Sequence, residues 1–275
     1  MVNFVTVFSP IKNSFIFIDY TKKGKNMNIA ILTGATGGVG GEYLELLKKE
    51  QLDEIWIIAR RREKLEELAS SDKRIRPFPL DLTDTKSFEA LASSLKEKNP
   101  TIKYLINNAG FGTIGAFDSL PAEKLTACVE LNAVALTHAC SICLPYMTEG
   151  SGIINVASIS SFAPNPKLAV YSATKAYVKS LSHSLREELK ARKINVLAVC
   201  PGPMKTEFLS VAGIEKGVSS MFDTLPSTPP SKVARCSLNA LKKGRAIYTP
   251  GILFKFYRII SALIPHSIIV KLTKV

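Results

Sequence analysis

The chain has 275 residues, 46% of them hydrophobic and 21% charged, which is typical of a globular protein with enough chain for one α/β domain and a large core. Its net charge of +13 is compatible with a nucleic acid, an anionic membrane or a phosphorylated ligand. No basic stripe interleaved with aromatic residues runs through the body of the sequence, so the composition argues against nucleic-acid binding.

Residues 1–26 do not share the pattern of the rest of the chain. The apolar run at 4–18 is interrupted by Pro10 and Lys12, is too short to span a bilayer, and lacks the charged start and cleavage site of a secretory leader. A clean strand pattern begins directly after Met27. We therefore expect a disordered or non-native extension with the natural start at Met27, the alternative being a small membrane-facing arm.

From residue 28 onwards, short apolar segments alternate with amphipathic ones. Strands are predicted at 29–33, 54–59, 74–79, 104–107, 152–157, 194–200 and 246–249. Helices are predicted at 38–50, 62–70, 84–98, 121–148 (one helix or two), 169–191 and 231–243. This alternation predicts a doubly wound, seven-stranded parallel sheet in a single α/β domain at 27–250.

Two segments stand outside the alternation. Residues 203–230 are rich in Gly, Ser, Thr and Pro and follow the sixth predicted strand, so they predict a mobile lid at the ligand-binding edge of the sheet. Phe208, Leu209 and Met221 make this lid apolar. Residues 251–275 are an apolar tail with basic residues, which either rests on an anionic membrane or packs over the edge of the site or at a subunit interface.

The first predicted strand ends in a glycine-rich turn that opens the first helix. Glycines allow a sharp turn and the close approach of a pyrophosphate to the helix N-terminus, where amide groups and the helix dipole favour anions. The turn therefore predicts a dinucleotide site. Its residues are Gly34, Thr36, Gly37, Gly38, Val39 and Gly40.

The residues after the second predicted strand distinguish between cofactors. A NAD site usually has a carboxylate there to bind the ribose hydroxyls. This chain has Arg60 and Arg61 instead, and guanidinium groups suit a 2′-phosphate, which predicts NADP(H). Two alternatives remain open: Glu63 serves as the carboxylate if the register slips, or the arginines are only a solvated helix start.

Further candidate residues follow other predicted strands. Because the carboxyl ends of parallel strands meet at one edge of the sheet, these residues are predicted to share the same site. They are Asp81, Leu82, Asn107, Asn108, Ala109, Gly110, Pro201, Gly202 and Thr206. Asn132 lies within the long apolar helix pattern, where a buried amide needs partners; a helix kink or simple packing is the alternative.

The most informative stretch runs from residue 155 to residue 175. Ser158 follows the fifth predicted strand, and Tyr171 and Lys175 are four residues apart on the next predicted helix, so they share a face. A nearby cation stabilises a phenolate and lowers a tyrosine pKa that is ordinarily about 10. The three residues therefore predict a proton-transfer site, although such a pair alone is more often surface decoration.

The cysteines and histidines indicate no metal site. Cys140 and Cys143 have redox spacing but fall inside an apolar helix pattern, so buried cysteines in a reducing compartment are expected. His138 and His183 have no partner at metal-ligand spacing.

Taken together, these motifs resemble the short-chain dehydrogenase/reductase family in order and spacing over about residues 28 to 250. The resemblance implies a Rossmann-type fold and a nicotinamide cofactor. It implies that Tyr171 is the general acid/base, Lys175 lowers its pKa and holds the nicotinamide ribose, and Ser158 orients the substrate oxygen. It further implies that Asn132 positions a water, Asp81 contacts the adenine and Thr206 contacts the carboxamide. Gly37 departs from the family, which often has Ser there.

The expected function is NADP(H)-dependent interconversion of a ketone and a secondary alcohol on a lipophilic substrate, because the chain resembles family members that act on hydroxysteroids or 3-oxoacyl groups. A homodimer or homotetramer in the cytoplasm is expected, with the tail as a peripheral membrane contact if the membrane alternative holds. A different class of function, a non-catalytic NADP(H) sensor or scaffold, would predict a broken catalytic set, and here Asn132, Ser158, Tyr171 and Lys175 are all present.

Overall fold

The structure is a computed structural model and describes residues 4–9, 14–19, 27–204, 206 and 225–273. Its strands are β1 (Phe4–Ser9), β2 (Ser14–Asp19), β3 (Asn28–Thr33), β4 (Glu54–Ala59), β5 (Ile75–Pro79), β6 (Thr101–Asn107), β7 (Gly152–Val156), β8 (Asn195–Val199) and β9 (Ile247–Tyr248). A parallel sheet joins seven of them in the order β5-β4-β3-β6-β7-β8-β9. The predicted doubly wound sheet is therefore confirmed.

The helices up to residue 242 lie close to their predicted positions, whereas the two helices within 251–275 had not been predicted as helices. In the described residues the α-helices are α1 (Gly38–Leu47), α2 (Arg62–Ser70), α3 (Ser87–Lys98), α4 (Ala122–Val129), α5 (Leu136–Cys143), α6 (Ala169–Glu188), α7 (Pro230–Lys242), α8 (Ile252–Leu263) and α9 (His266–Leu272). Short 3₁₀ turns occur at Phe117–Ser119, Leu144–Tyr146 and Ile159–Ser161. A π-helical segment, Glu130–Ala135, joins α4 to α5, so the predicted helix at 121–148 is two helices joined by a π turn.

Helices cover both faces of the parallel sheet, which explains the nearly continuous apolar sequences of β3 and β4. Residues of α1 and α7 pack in the core on one face, and residues of α3, α5 and α6 pack on the other. The Tyr43 hydroxyl lies 2.6 Å from the Ser237 hydroxyl and ties α1 to α7. The site therefore stands on a rigid, two-sided core.

The helices α8 and α9 pack against the loops at the carboxyl edge of the sheet. Phe254 is 2% exposed, and a Cβ added at Gly202 would collide with its ring. The Thr273 hydroxyl donates a hydrogen bond of 2.9 Å to the Pro164 carbonyl oxygen. One side of the tail thus packs over the edge of the sheet, which was one of the two predicted alternatives.

The described residues of the N-terminal segment form two short strands. Strands β1 and β2 pair antiparallel, with Phe4 opposite Asp19 and Ser9 opposite Ser14. The disordered or non-native extension expected at residues 1–26 stays a prediction, and 4–9 and 14–19 are the residues of this segment that the structure describes. Both runs are rich in β-branched and aromatic residues, which favour a strand even where the sequence is not part of the main sheet.

Among the described residues, one stretch, Ala122–Tyr146, is long and apolar enough to cross a membrane by length and composition. In the fold it comprises α4, the π segment, α5 and the 3₁₀ turn that follows, and Asn132 lies near its middle with 1% exposure. The apolar window of this stretch is 39% buried, and α5 contacts β6 while α4 contacts α6.

Candidate active site

A cleft of about 980 Å³ opens at the carboxyl ends of the parallel strands. It lies where the strand order reverses between β3 and β6, which is the place where doubly wound sheets bind ligands. The cleft brings together nearly all of the residues predicted from sequence. Those that line it are Gly34, Thr36, Gly37, Gly38, Val39, Arg60, Arg61, Asp81, Leu82, Asn108, Ala109, Gly110, Ser158, Tyr171, Lys175, Pro201, Gly202 and Thr206.

The glycine-rich turn has the geometry of an anion site. Gly34 and Gly38 have φ of 70° and 55°, in the left-handed region that favours glycine. A Cβ at Gly40 would collide with the Gly34 carbonyl oxygen, so this glycine allows the turn to close on itself and supports the site from behind the cleft wall. Helix α1 begins without a side-chain cap, and Gly37 and Gly38 are exposed. Amide groups of the first turn therefore remain available, and the turn fits a pyrophosphate.

Thr33 and Asn108 hold this turn in place. The Thr33 hydroxyl accepts hydrogen bonds of 3.0 Å from the backbone N–H groups of Asn108 and Ala109. The Asn108 side-chain amide donates to the Gly34 carbonyl oxygen at 3.0 Å. Asn108 therefore supports the turn with its side chain, in addition to lining the cleft. Asn107 points away from it and donates a 2.9 Å hydrogen bond to the Asn155 side chain inside the core.

Two arginines lie at the end of β4, beside the glycine turn. The Arg61 guanidinium donates to the Thr36 carbonyl oxygen at 3.2 Å and to the Thr36 hydroxyl at 3.1 Å. Arg60 is exposed in the cleft wall. Glu63 lies in the first turn of α2 and does not line the cleft, so it does not take the position of a ribose-binding carboxylate.

Asp81 contributes a carboxylate to the described wall of the cleft. Burial favours a higher pKa for this group, but hydrogen bonds from the Thr83 N–H and hydroxyl, at 3.0 Å and 2.7 Å, and the nearby charge of Arg60 outweigh it. The pKa of Asp81 is therefore below its ordinary value, and its ionised oxygens can accept hydrogen bonds from a ligand.

Ser158, Tyr171 and Lys175 meet at the inner end of the cleft. All three are buried, with exposures of 7%, 8% and 4%. The Lys175 ammonium donates a 2.8 Å hydrogen bond to the Val156 carbonyl oxygen and lies 5.7 Å from the centroid of the Tyr171 ring. Ser158 is hydrogen-bonded to the Tyr171 phenol and accepts a 3.1 Å hydrogen bond from the Ser160 N–H.

The proton affinities in this cluster differ from the expectation. Burial raises the pKa of Tyr171 to about 12, and the hydrogen bond with Ser158 only partly opposes this rise. Burial lowers the pKa of Lys175 to about 8. In the protein alone, Lys175 therefore does not bring the pKa of Tyr171 below its ordinary value. Desolvation of the phenolate is the largest cause of the raised pKa.

Asn132 lies in the π segment behind the cleft wall and does not line it. Its side chain accepts a 3.0 Å hydrogen bond from the Phe111 N–H and donates one of 2.8 Å to the Phe111 carbonyl oxygen and one of 3.1 Å to the Thr174 hydroxyl. A Cβ at Gly110 would lie 2.8 Å from the Asn132 oxygen and 3.2 Å from the Lys175 nitrogen. The side chain of Asn132 thus holds the wall in place, and Gly110 permits its approach to Lys175.

The cleft extends beyond these residues into an apolar part that the sequence motifs missed. Its wall includes Phe111, Ile114, Leu120, Lys124, Ala127, Leu131 and Leu168. Four of them recur at the spacing of one helical face from residue 120 to residue 131, which is the only sequence signal they carry. The lid residues Phe208, Leu209 and Met221 lie outside the described residues.

The histidines are core or helix residues. His138 stacks on Phe88 with ring centroids 4.2 Å apart, and its pKa is lowered by burial. Burial first, and then neighbouring cations, lower the pKa of His183 on α6. Within the described part of the chain, no group of three or more His, Cys, Asp or Glu residues could hold a metal ion.

Comparison with known proteins agrees with this geometry. A family model described as short chain dehydrogenase matches residues 28–215. The chain is 27% identical over 238 residues to the probable oxidoreductase EphD of Mycobacterium bovis, and the match covers 78% of this chain and 40% of that protein. It is 31% identical over 198 residues to sulfoacetaldehyde reductase 2 of Chromohalobacter salexigens, covering 67% of this chain and 75% of that one.

The fold is similar to that of a short-chain dehydrogenase from Sphingobium yanoikuyae solved in complex with NADPH. The TM-score is 0.74 at 26% identity, over 86% of this chain and 94% of the other. Other structures with this fold have been solved with NADP and with NAD. The match of the family model to more than half of the sequence, together with the fold, shows that the chain belongs to the short chain dehydrogenase family of oxidoreductases.

Proposed function

We propose that the chain is an NADP(H)-dependent oxidoreductase that interconverts a ketone and a secondary alcohol on a lipophilic substrate, with Tyr171 as the general acid/base. The observation that carries the proposal is the buried cluster of Ser158, Tyr171 and Lys175 in the same cleft as the glycine turn and the two arginines. Proton transfer by a positioned side chain typically contributes about 10²–10⁴-fold to a rate.

The proton affinity of Tyr171 supports a role as a proton donor. With a pKa of about 12, the phenol is protonated at neutral pH and can give a proton to the oxygen of a carbonyl that is being reduced. The nicotinamide cofactor supplies or accepts the hydride when it is bound. Ser158 orients the substrate oxygen, because its hydroxyl is held between the Ser160 N–H and the phenol.

Lys175 has a role in binding and in electrostatics. One of its three N–H donors is used by the Val156 carbonyl oxygen, which leaves donors for the hydroxyls of the nicotinamide ribose. Its pKa of about 8 keeps most of the side chain charged at neutral pH, and this charge favours the phenolate that forms when Tyr171 gives up its proton. Asn132 is a positioning residue that fixes the wall next to Lys175, and the water expected beside it stays a prediction.

The arginines support a preference for NADP(H). Arg60 and Arg61 lie where a ribose 2′-phosphate would approach, and guanidinium groups bind phosphate through paired hydrogen bonds. The glycine turn would hold the pyrophosphate, Asp81 the adenine and Thr206 the carboxamide. The NADPH complex of the Sphingobium relative supports the same choice.

The apolar part of the cleft supports a lipophilic substrate. Phe111, Ile114, Leu120 and Leu168 line this part, and Lys124 on α4 adds a cation to the described wall. Hydroxysteroids and 3-oxoacyl compounds are therefore the first classes to test, and a charged aldehyde is a useful contrast because of Lys124 and the sulfoacetaldehyde reductase relative. The homodimer or homotetramer expected from the family stays a prediction.

The test is the oxidation of NADPH across steroids, acyl ketones, sugars and a charged aldehyde. We expect turnover of at least one apolar ketone, and we expect Tyr171→Phe to lower kcat by about 10²-fold or more while NADPH binding stays near normal. Tyr177→Phe is the matched control, since Tyr177 lies on the same helix but its exposed hydroxyl contacts Thr137. Activity of Tyr171→Phe equal to that of the control would refute the role of Tyr171.

The contrasting class is a non-catalytic NADP(H) sensor or scaffold. That class would be expected to have a broken catalytic set, whereas Asn132, Ser158, Tyr171 and Lys175 are all present. Tight NADPH binding without turnover on any substrate of the panel would assign the chain to this class.

A further inference from the structure

The exposed apolar residues of this protein are concentrated in one place. Eleven large hydrophobic side chains are exposed in the described chain, and seven of them lie between residues 252 and 268. They are Ile252, Leu253, Phe256, Ile259, Ile260, Leu263 and Ile268, and we call them the tail face. Monomeric globular proteins rarely expose a contiguous apolar patch of this kind unless it binds something.

The tail face is one side of a helix whose other side is already used. Residues 252, 256, 259, 260 and 263 follow the spacing of a single helical face on α8. On the opposite side, Phe254 packs on Gly202 and the Tyr257 ring contacts Phe162 at a centroid distance of 6.0 Å. A rotation of the helix that buried the tail face would therefore expose Phe254, so the tail face can only be covered by something outside the described chain.

The segment that carries the tail face has basic residues and no acidic ones. Residues 224–275 contain nine Lys and Arg residues and no Asp or Glu. Lys255 and Lys271 are exposed on the same two helices that carry the tail face. Lys255 precedes Ile259 by one helical turn, so its ammonium lies at the margin of the apolar surface, where a long side chain can reach polar groups while its stem stays on apolar surface.

We propose that the tail face docks α8 and α9 on an anionic lipid bilayer. An apolar helical face with lysines at its margin is the arrangement that lies in the plane of a membrane interface, with apolar side chains in the acyl boundary and cations at the headgroups. Anionic lipid attracts each basic residue near the surface, and the absence of Asp and Glu from 224–275 means that no side-chain carboxylate of this segment opposes that attraction.

Docking in this way places the cleft beside the membrane. Gly202, which contacts Phe254 of α8, lines the cleft, and Thr273 is hydrogen-bonded to Pro164 in the loop that follows Ser158. A bilayer under the tail face would thus hold its lipid-soluble contents near the mouth of the cleft. This last link rests on the proposed function, whereas the docking itself does not.

Vesicle flotation with the purified full-length chain tests the docking. The chain is mixed with vesicles of phosphatidylcholine alone or of phosphatidylcholine with phosphatidylglycerol, and then floated through a density gradient. We expect flotation with the anionic vesicles at low salt, less at high salt, and little with phosphatidylcholine alone. A chain that stays at the bottom with both vesicle types, or floats equally with both, overturns the proposal.

Two variants separate the apolar and the charged contribution. Phe256→Asp with Ile260→Asp should reduce vesicle binding about tenfold or more, because two inserted side chains become charged. Lys255→Glu with Lys271→Glu should reduce it about fivefold or more. The matched controls are Val134→Asp, an exposed apolar residue of the π segment, and Lys73→Glu, an exposed lysine next to β5 at the opposite edge of the sheet.

The controls should bind vesicles like the wild-type chain. Melting temperature and circular dichroism establish that the variants are folded, and if the apolar variant is not, the charge variant still decides. Binding of both variants at wild-type level contradicts the proposal. A second copy of the chain is the rival occupant of the tail face. That copy is assigned to it if the wild-type protein does not float with vesicles and if, by sedimentation without lipid, the wild type is a dimer and the variant Phe256→Asp with Ile260→Asp is a monomer. Since no arm of the test measures turnover, its failure is distinguishable from failure of the enzyme proposal.

Discussion

Lys175 is a buried cation whose environment opposes its charge. It is 4% exposed, and burial lowers its pKa from 10.5 to about 8. Burial penalises the charged form of Lys175 and so lowers the free energy of unfolding. This cost has its full value below about pH 8, where Lys175 is protonated in both the folded and the unfolded chain. The cost falls as the pH rises from 8 towards 10.5 and vanishes above that, where both are neutral. The site therefore retains a residue that costs stability, which is a sign of function rather than packing.

Lys175→Met removes this penalty. We expect the variant to be more stable than wild type at neutral pH by about 1–2 kcal/mol, less than the pKa shift alone implies because the Val156 carbonyl oxygen loses its donor. The gain should disappear above about pH 10.5. Urea unfolding across this range measures it, with Lys190→Met, an exposed lysine, as the control. A stability difference that does not change with pH would contradict the buried charge.

At the level of elements, the junction of β4 and α2 carries the arginines on which the proposed preference for NADP(H) rests. Strand β4 ends at Ala59, and Arg60 and Arg61 enter the cleft before α2 begins at Arg62. Arg61 also joins this junction to the glycine turn through Thr36. A short loop between two rigid elements thus determines which charge meets a ribose at the binding edge.

Arg60→Ala with Arg61→Ala should raise KM for NADPH about tenfold or more and leave KM for NADH nearly unchanged, because only NADPH carries the 2′-phosphate. Steady-state kinetics with both cofactors measure the ratio. Arg62→Ala is the control, since Arg62 is exposed and does not line the cleft, and its guanidinium lies 3.6 Å from the Glu66 carboxylate. If the double variant keeps the wild-type preference for NADPH over NADH, the arginines do not bind the 2′-phosphate.

At the scale of the whole molecule, the site depends on contacts between distant parts of the chain. Tyr43 of α1 meets Ser237 of α7 across 194 residues, and Phe254 of α8 packs on Gly202 at the cleft. The first contact holds the helix that begins at the glycine turn, and the second fixes the loop after β8. The last elements of the chain thus help to shape a cleft whose first residues follow β3.

Phe254→Ala tests the second of these contacts. We expect a loss of about 3 kcal/mol or more in the free energy of unfolding, because a ring that is 2% exposed leaves a cavity next to Gly202. Weaker NADPH binding should accompany it, since Gly202 lines the cleft. Phe256→Ala on the exposed side of the same helix should change stability by no more than about 0.5 kcal/mol. Equal melting temperatures of the two variants would show that Phe254 is not anchored.

Local sequence was sufficient for the order of the seven strands of the parallel sheet and of the helices up to residue 242, for the glycine turn, and for the shared helical face of Tyr171 and Lys175. Backbone conformation and side-chain periodicity follow from residues a few positions apart, so these features can be inferred without the fold. The strands at 4–9 and 14–19 lie outside these inferences, because their strand propensity is present in the sequence but has no place in the alternating pattern.

Burial and long-range contacts could be determined only from the tertiary structure. The pKa of Tyr171 rises because the helices and loops around it exclude water, and no spacing of residues specifies that exclusion. The partners of Asn132 include the backbone of Phe111 and the Thr174 hydroxyl, which the sequence does not indicate. In the same way, only packing shows that the side of α8 with Phe254 and Ser261 is covered and that the more apolar side is left exposed.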